Sequence, residues 1–257
     1  MLVITHAPSP KIAEGERTFL DRRPIDIELV CAQHREFCSL LARLGARVVC
    51  TDVNRHLADS VFVEDTAVIL DEIAVMASMG AVSRRAEVEG IEPLLKQWRR
   101  TVRVALPATL EGGDVLRADR TLWIGHSCRT NAEGMRVFQE LVSPFGYQVR
   151  TVAVRGCLHL KTACTVLPDG RFLVQPAWID VSQLPRGWIT VSDEEPWAAN
   201  VLVFHDWVVV PSAHRRTAEM LSREGYSVQT VDISEIAKAE GGVTCLALLV
   251  SDREGSQ

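Results

Sequence analysis

No stretch of this 257-residue sequence approaches the roughly 20 consecutive apolar residues that a membrane-crossing helix needs. Its opening, Met-Leu-Val-Ile-Thr-His, lacks the basic and apolar regions of a secretory leader, so a cytoplasmic location is expected. Basic charge is not in excess either: the net charge is −5, which argues against nucleic acid as a partner. Seven cysteines (31, 38, 50, 128, 157, 164 and 245) form no Cys-x-x-Cys pair, and a chain of this length needs no disulfide staples, so reduced thiols are expected. Cys157-x-His159 comes nearest to a metal cluster but has no companion pair at ligand spacing, and no metal is expected. There is no Gly-x-Gly-x-x-Gly turn and no Walker loop, which removes the familiar nucleotide grips. What remains is 47% hydrophobic and 24% charged, the composition of an ordinary globular domain, read here as one domain over 1–257.

What is present is a recurring pattern. Four pairs of short apolar or β-branched runs flank tight turns: 67–70 with 73–77, 115–116 with 122–125, 164–167 with 172–175, and 201–204 with 207–210. After the first, second and fourth comes a helical period and then another strand. Val88, Ile91, Leu95 and Trp98 mark one helix; Thr130-Asn-Ala-Glu133 reads as a capping box opening a second; 216–222 is a third. Residues 177–187 carry no clear amphipathic period, so the third unit fits least well. A fifth unit is split across the chain ends: a strand at 245–250, a strand at 2–5, a helix through Ile27–Leu41 ending at Gly45, and a strand at 47–50. The landmarks Asp65, Asp114, His159, Asn200 and Cys245 recur at intervals of about 41 to 49 residues, which suggests a repeat architecture. The spacing predicts an α/β ring of five strand–strand–helix–strand units, closed by pairing of its N- and C-terminal strands. A doubly wound parallel sheet is the alternative, but tight hairpins require antiparallel neighbours.

Such a ring would aim its landmarks at a common axis, and their chemistry is coherent. Cys245 follows a glycine pair in Gly241-Gly242-Val-Thr-Cys245, a loop in which glycine permits positive φ and close approach of the backbone to a ligand. His159, between Leu158 and Leu160, is the imidazole best placed for proton transfer. Glu64-Asp65 and Glu111-Gly-Gly-Asp114 open strands where a solvated charge is unexpected, and several carboxylates at one end of a pocket favour a guanidinium or amidinium. Arg84, Arg85 and Arg129 stand at helix starts, against the helix dipole, as groups clamping a carboxylate would.

Seven segments in register then identify a resemblance: Asp-Ser-Val-Phe-Val-Glu-Asp (59–65), Ser-Arg-Arg (83–85), Glu-Gly-Gly-Asp (111–114), Arg-Thr-Asn-Ala-Glu-Gly (129–134), Leu-His-Leu-Lys-Thr (158–162), Ala-Ala-Asn (198–200) and Gly-Gly-Val-Thr-Cys (241–245). Together they resemble the dimethylarginine dimethylaminohydrolases, a family of the guanidino-modifying superfamily with a five-bladed α/β-propeller. The resemblance implies hydrolysis of asymmetric dimethylarginine or monomethylarginine to citrulline and an alkylamine, with no cofactor. It implies Cys245 as nucleophile, His159 as general acid and base, and Glu111 as the carboxylate that orients the histidine or the substrate. Glu64 and Asp65 would line the guanidinium end, Asp59 would hold the α-amino group, Arg84 and Arg129 the α-carboxylate, and the carbonyl of Ala239 the amine.

Arginine deiminases and amidinotransferases, the alternative within the superfamily, carry His-x-Asp where this chain has His159-x-Lys161. Losing that acceptor favours N-methyl groups over bare nitrogens. Residues 9–22 match no motif, but their position and composition suit a mobile lid. The expected partner is a small methylated arginine, with neither nucleic acid nor membrane, and a homodimer is left open.

Overall fold

The computed structural model describes residues 1–251. Strand β1 (Leu2–His6) leads through helix α1 (Ile27–Arg43) into β2 (Arg47–Thr51), which runs parallel to it. Asp26 caps α1 by accepting from the amides of Glu28 and Leu29. The next two units are β3 (Ala67–Ile69), β4 (Ile73–Met76), α2 (Arg85–Leu95) and β5 (Arg100–Arg103), then β6 (Val115–Ala118), β7 (Thr121–His126), α3 (Ala132–Val142) and β8 (Gln148–Ala153). A short helix α4 (Leu160–Ala163) precedes β9 (Cys164–Val166), β10 (Phe172–Val174) and the two-residue β11 (Ile189–Thr190). Last come β12 (Leu202–Phe204), β13 (Trp207–Pro211), α5 (Arg215–Arg223), β14 (Ser227–Val231), the short α6 (Ser234–Ala237) and β15 (Leu248–Val250).

These strands form five three-stranded sheets, each an antiparallel pair extended by one parallel strand. The fold is the five-bladed α/β-propeller. Its fifth blade joins the chain ends, with Leu2 opposite Val250 and Ile4 opposite Leu248. The central strand of a blade is buried on both faces, because each face packs on a different neighbour. In β4, Ala74 and Met76 join Leu2 and Ile4 of one adjacent blade, whereas Ile73 and Val75 join Leu122 and Ile124 of the other. That two-sided burial explains why these strands read as unbroken apolar runs while their side chains still alternate.

The structure adjusts three sequence expectations. The strand expected from Cys245 begins at Leu248, since Thr244–Leu246 form a 3-10 turn. The cap of α3 is Asn131, whose side chain accepts from Gly134, because the Thr130 hydroxyl is spent on Asp114. In the third full hairpin unit only a 3-10 turn, Val181–Gln183, stands where a helix would be, and Trp178, Leu184 and Trp188 fill the layer instead.

Candidate active site

In three of the blades a short helical turn immediately precedes the first strand; in the blade that joins the chain ends one residue, Ala247, intervenes, and in the fourth hairpin unit, led by Pro196–Ala199, two residues do. The others are Val63–Thr66, Gly112–Asp114, α4 and Thr244–Leu246. These five turns carry the sequence landmarks and are laced together by side chains. Asp65 Oδ1 accepts from Gly113 N at 3.1 Å, and Asp114 Oδ1 from Leu160 N at 2.9 Å. Asn200 donates through Nδ2 to Lys161 O and to Thr244 Oγ1, both at 2.9 Å, and accepts from Thr244 N at 3.2 Å. Thr244 Oγ1 in turn donates to Glu64 Oε2 at 2.8 Å. Residues scattered over 180 positions are thereby fixed about one axis.

Both glycine pairs owe their place to crowding by protein atoms. A Cβ on Gly113 would sit 2.6 Å from Asp65 Oδ1 and 2.7 Å from His159 Nδ1, and one on Gly242 would sit 2.2 Å from Asn200 Oδ1. Neither glycine of the 241–242 pair has positive φ; the left-handed residue of that loop is Glu240, at +61°.

His159 is the centre of the charge arrangement. It is buried; Nε2 lies 2.7 Å from Glu111 Oε2, and Nδ1 lies 3.7 Å from Asp65 Oδ1. Burial disfavours its cationic form, but the carboxylates of Asp65, Asp114 and Glu111 outweigh that and lift its pKa to about 9. Burial works against the charge on Glu111 and Asp65 as well. The imidazole beside both, and Arg84 beside Asp65, nonetheless hold each carboxyl below its usual value. Burial keeps Asp114 high, at about 6, against bonds from Ser127, Thr130 and Leu160. Glu111 Oε1 accepts from Gly80 N at 2.9 Å.

Cys245 shares its cleft with His159, Asp59, Phe62, Asp65, Arg84, Arg129 and Ala239. Cys245 is half-buried, and its sulfur receives Gly242 N–H at 3.4 Å. Desolvation together with the charges of Glu64 and Asp65 pushes it up to about 12, so the resting sulfur is protonated.

The seven sequence-predicted site residues besides Cys245 and His159 fall into distinct places. Asp59, Asp65, Arg84, Arg129 and Ala239 line the cleft. Arg84 is heavily engaged there: it donates to Asp65 Oδ2 at 2.7 Å, to both oxygens of Glu87 and to the Phe62 carbonyl. Arg129 is different. Its buried Nη1 has no hydrogen-bond partner among the described residues, and Glu111 Oε1 stands 3.6 Å away. Glu111 lies behind the imidazole. Glu64 sits beneath the cleft, with Lys161 Nζ donating to its Oε1 at 2.6 Å, and the pair lines a separate cavity with Gly112 and Ala247. Sequence reasoning assigned no role to Asp114, Asn200 or Thr244. All three are buried and tie the catalytic turns together; Asp114 and Asn200 stood out in the sequence as recurring landmarks, whereas Thr244 was marked only by its place in a matched motif.

The ligand atoms of Asp65, Glu111 and His159 lie within 4.8 Å of one another, a span that a divalent ion could bridge. Here the imidazole–carboxylate bond takes it up.

Comparison with known proteins gives a consistent pattern. The family model described as N,N dimethylarginine dimethylhydrolase, eukaryotic, matches residues 14–166. The N(G),N(G)-dimethylarginine dimethylaminohydrolase of Streptomyces coelicolor is 36% identical, over 95% of both chains. That of Pseudomonas aeruginosa is 31% identical, over 96% of this chain and 98% of its own. A crystal structure of a dimethylarginine dimethylaminohydrolase variant in adduct with S-methyl-L-thiocitrulline superimposes with a TM-score of 0.90 at 29% identity, covering 96% of this chain and 98% of that one. A Pseudomonas aeruginosa variant complexed with citrulline gives 0.89 at 30% identity, with the same coverage. The N-terminal domain of the cyanobacterial arginine dihydrolase ArgZ, at 18% identity and a TM-score of 0.86, shares the fold.

Proposed function

The chain belongs to the dimethylarginine dimethylaminohydrolase family, and from that premise we propose how its residues carry out the reaction. It is a hydrolase that converts N-ω-methylated arginines to citrulline and the corresponding alkylamine. The observation that carries this reading is the His159 imidazole, held between Glu111 and Asp65 in the cleft that also holds Cys245.

At neutral pH the resting pair is a thiol and an imidazolium, by the raised pKa values of both groups. A guanidinium entering beside the sulfur offsets the repulsion from Glu64 and Asp65, so the thiol can release its proton to solvent. The thiolate attacks the guanidinium carbon, and a tetrahedral adduct forms. His159 then gives its proton to the departing amine; the C–N bond breaks and a thiouronium remains on Cys245. Water attacks that carbon while His159 takes up its proton, and the C–S bond breaks to release citrulline. Glu111 keeps the imidazole turned toward these atoms throughout.

Substrate recognition follows from the walls. Arg129 has a buried donor free for the α-carboxylate, beside Arg84, which stands fixed between Asp65 and Glu87. Asp59 is assigned the α-amino group, with the Ala239 carbonyl as a second acceptor. Asp65 and, from beneath, Glu64 set the negative potential around the guanidinium. Lys161, tied to Glu64, adds no acceptor of its own for bare terminal nitrogens, which accords with N-methyl groups there. All these groups come from one 1–257 domain, so a homodimer is compatible with the chemistry and not required by it. No helix among the described residues is long and apolar enough to cross a membrane; a cytoplasmic workplace is part of the proposal. Incubation with asymmetric dimethylarginine should yield citrulline and dimethylamine in equal amounts. Consumption of arginine with release of ammonia, and none of the methylated compound, would overturn it.

A further inference from the structure

The cleft is covered by a segment whose attachment the chemistry above does not use. Residues 9–22 lie at its mouth, with a 3-10 turn at Ile12–Glu14 and Glu16 among the cleft walls, and Arg129 Nη2 donates to Thr18 Oγ1 at 3.5 Å. On one side Glu16 N donates to Asp59 Oδ2 at 2.9 Å, and the Arg17 guanidinium lies 4.0 Å from Asp59 Oδ1. On the other side, three successive amides of the segment, those of Thr18, Phe19 and Leu20, all donate to the carboxylate of Glu240. Consecutive N–H groups converging on one anion form a nest, a strong carboxylate grip made by main chain alone. Arg17 Nε adds a bond to Lys238 O at 3.2 Å, and Leu20 reaches an apolar recess between Trp197, Pro211 and Ala237.

The position of Glu240 gives this contact its meaning. It lines the cleft together with Ala239, just before it; Gly242, two residues on, donates to the Cys245 sulfur. Glu240 holds φ at +61°, a conformation that glycine or asparagine adopts far more readily than glutamate. Backbone preference does not account for a glutamate there, whereas its carboxylate does. We propose that Glu240 is a positioning residue of the reaction: its carboxylate latches the 16–20 segment shut over bound substrate. The same closure brings Glu16 and Arg17 onto Asp59, so covering the cleft and aligning the group assigned to the α-amine are one event. This rests on the functional reading above for its substrate, and on the bonds alone for the latch.

The test uses Glu240→Gln, Glu240→Ala and Glu240→Gly in the full-length protein. Amide hydrogen exchange at Thr18, Phe19 and Leu20 should speed up by about tenfold or more in all three, while exchange in the strands stays unchanged. KM for asymmetric dimethylarginine should rise about tenfold with kcat moving less than about threefold, the split expected when closure and not chemistry is lost. The glycine variant separates the two possible origins of an effect, since it relieves the positive φ yet lacks the carboxylate. Wild-type exchange and KM in Glu240→Gly, or unchanged exchange at 18–20 in all three, would overturn the latch. If exchange responds as described but the wild-type protein turns over no methylated arginine, the latch stands and the functional reading falls.

Discussion

At the scale of single residues, the site is a balance of buried charges, and its titration is the most direct check on it. The folded pKa of His159 lies above the ordinary value of 6.5, at about 9. The stability it contributes is therefore fully present below pH about 6.5 and is lost as pH rises through about 9. The shift corresponds to about 3 kcal/mol. Urea melts of the wild type and of His159→Asn should show a stability gap that closes over that window; a gap independent of pH would contradict the charged resting imidazole. Cys245 titrates higher, so inactivation of the free protein by iodoacetamide should still accelerate beyond pH 10, whereas a plateau near pH 8 would mean a thiolate already formed. Cys245→Ser should fold and bind substrate but lose turnover, and Arg129→Ala should chiefly raise KM; steady-state kinetics beside a thermal melt distinguish these outcomes.

Individual elements show which parts of this were legible beforehand. The hairpins, the four long helices and the split fifth blade follow from the sequence pattern, because strands with both faces buried and helices with one are strongly patterned. The missing helix at 177–187 was already visible as a missing period. That Thr244–Leu246 would be a turn was not, because Cys-Leu-Ala-Leu-Leu-Val reads as one apolar strand until the Asn200–Thr244 bonds are seen. Nor could the sequence tell that Arg84 would be spent on Asp65 and Glu87, or that Glu64 would face away from the cleft toward Lys161; such pairings depend on which turns meet at the axis. The turns themselves are testable. A Gly113→Ala methyl would press on both Asp65 and His159, and a misplacement of that order should lower kcat by about a hundredfold with little change in folding. Asp114→Ala removes the acceptor for Ser127, Thr130 and Leu160 at once and should cost about 3 kcal/mol in a denaturant melt.

At the scale of the whole molecule, closure is the organising fact. Leu2 faces Val250 across the β1–β15 pair, so the two ends of the ring lie side by side. A circular permutant joined there by a short linker and reopened at the exposed Asp169-Gly170 turn should keep its activity and melt within a few degrees of the parent. Deleting β15 instead should leave no cooperative transition in calorimetry. Closure also imposes an order in time. A ribosome makes β1 before the other four blades and its antiparallel partner after them, so the nascent chain carries an open β-edge until the ring can close. Cys245 arrives with that closing stretch, after His159 and the carboxylates around it, so no chain halted before it can carry out the reaction.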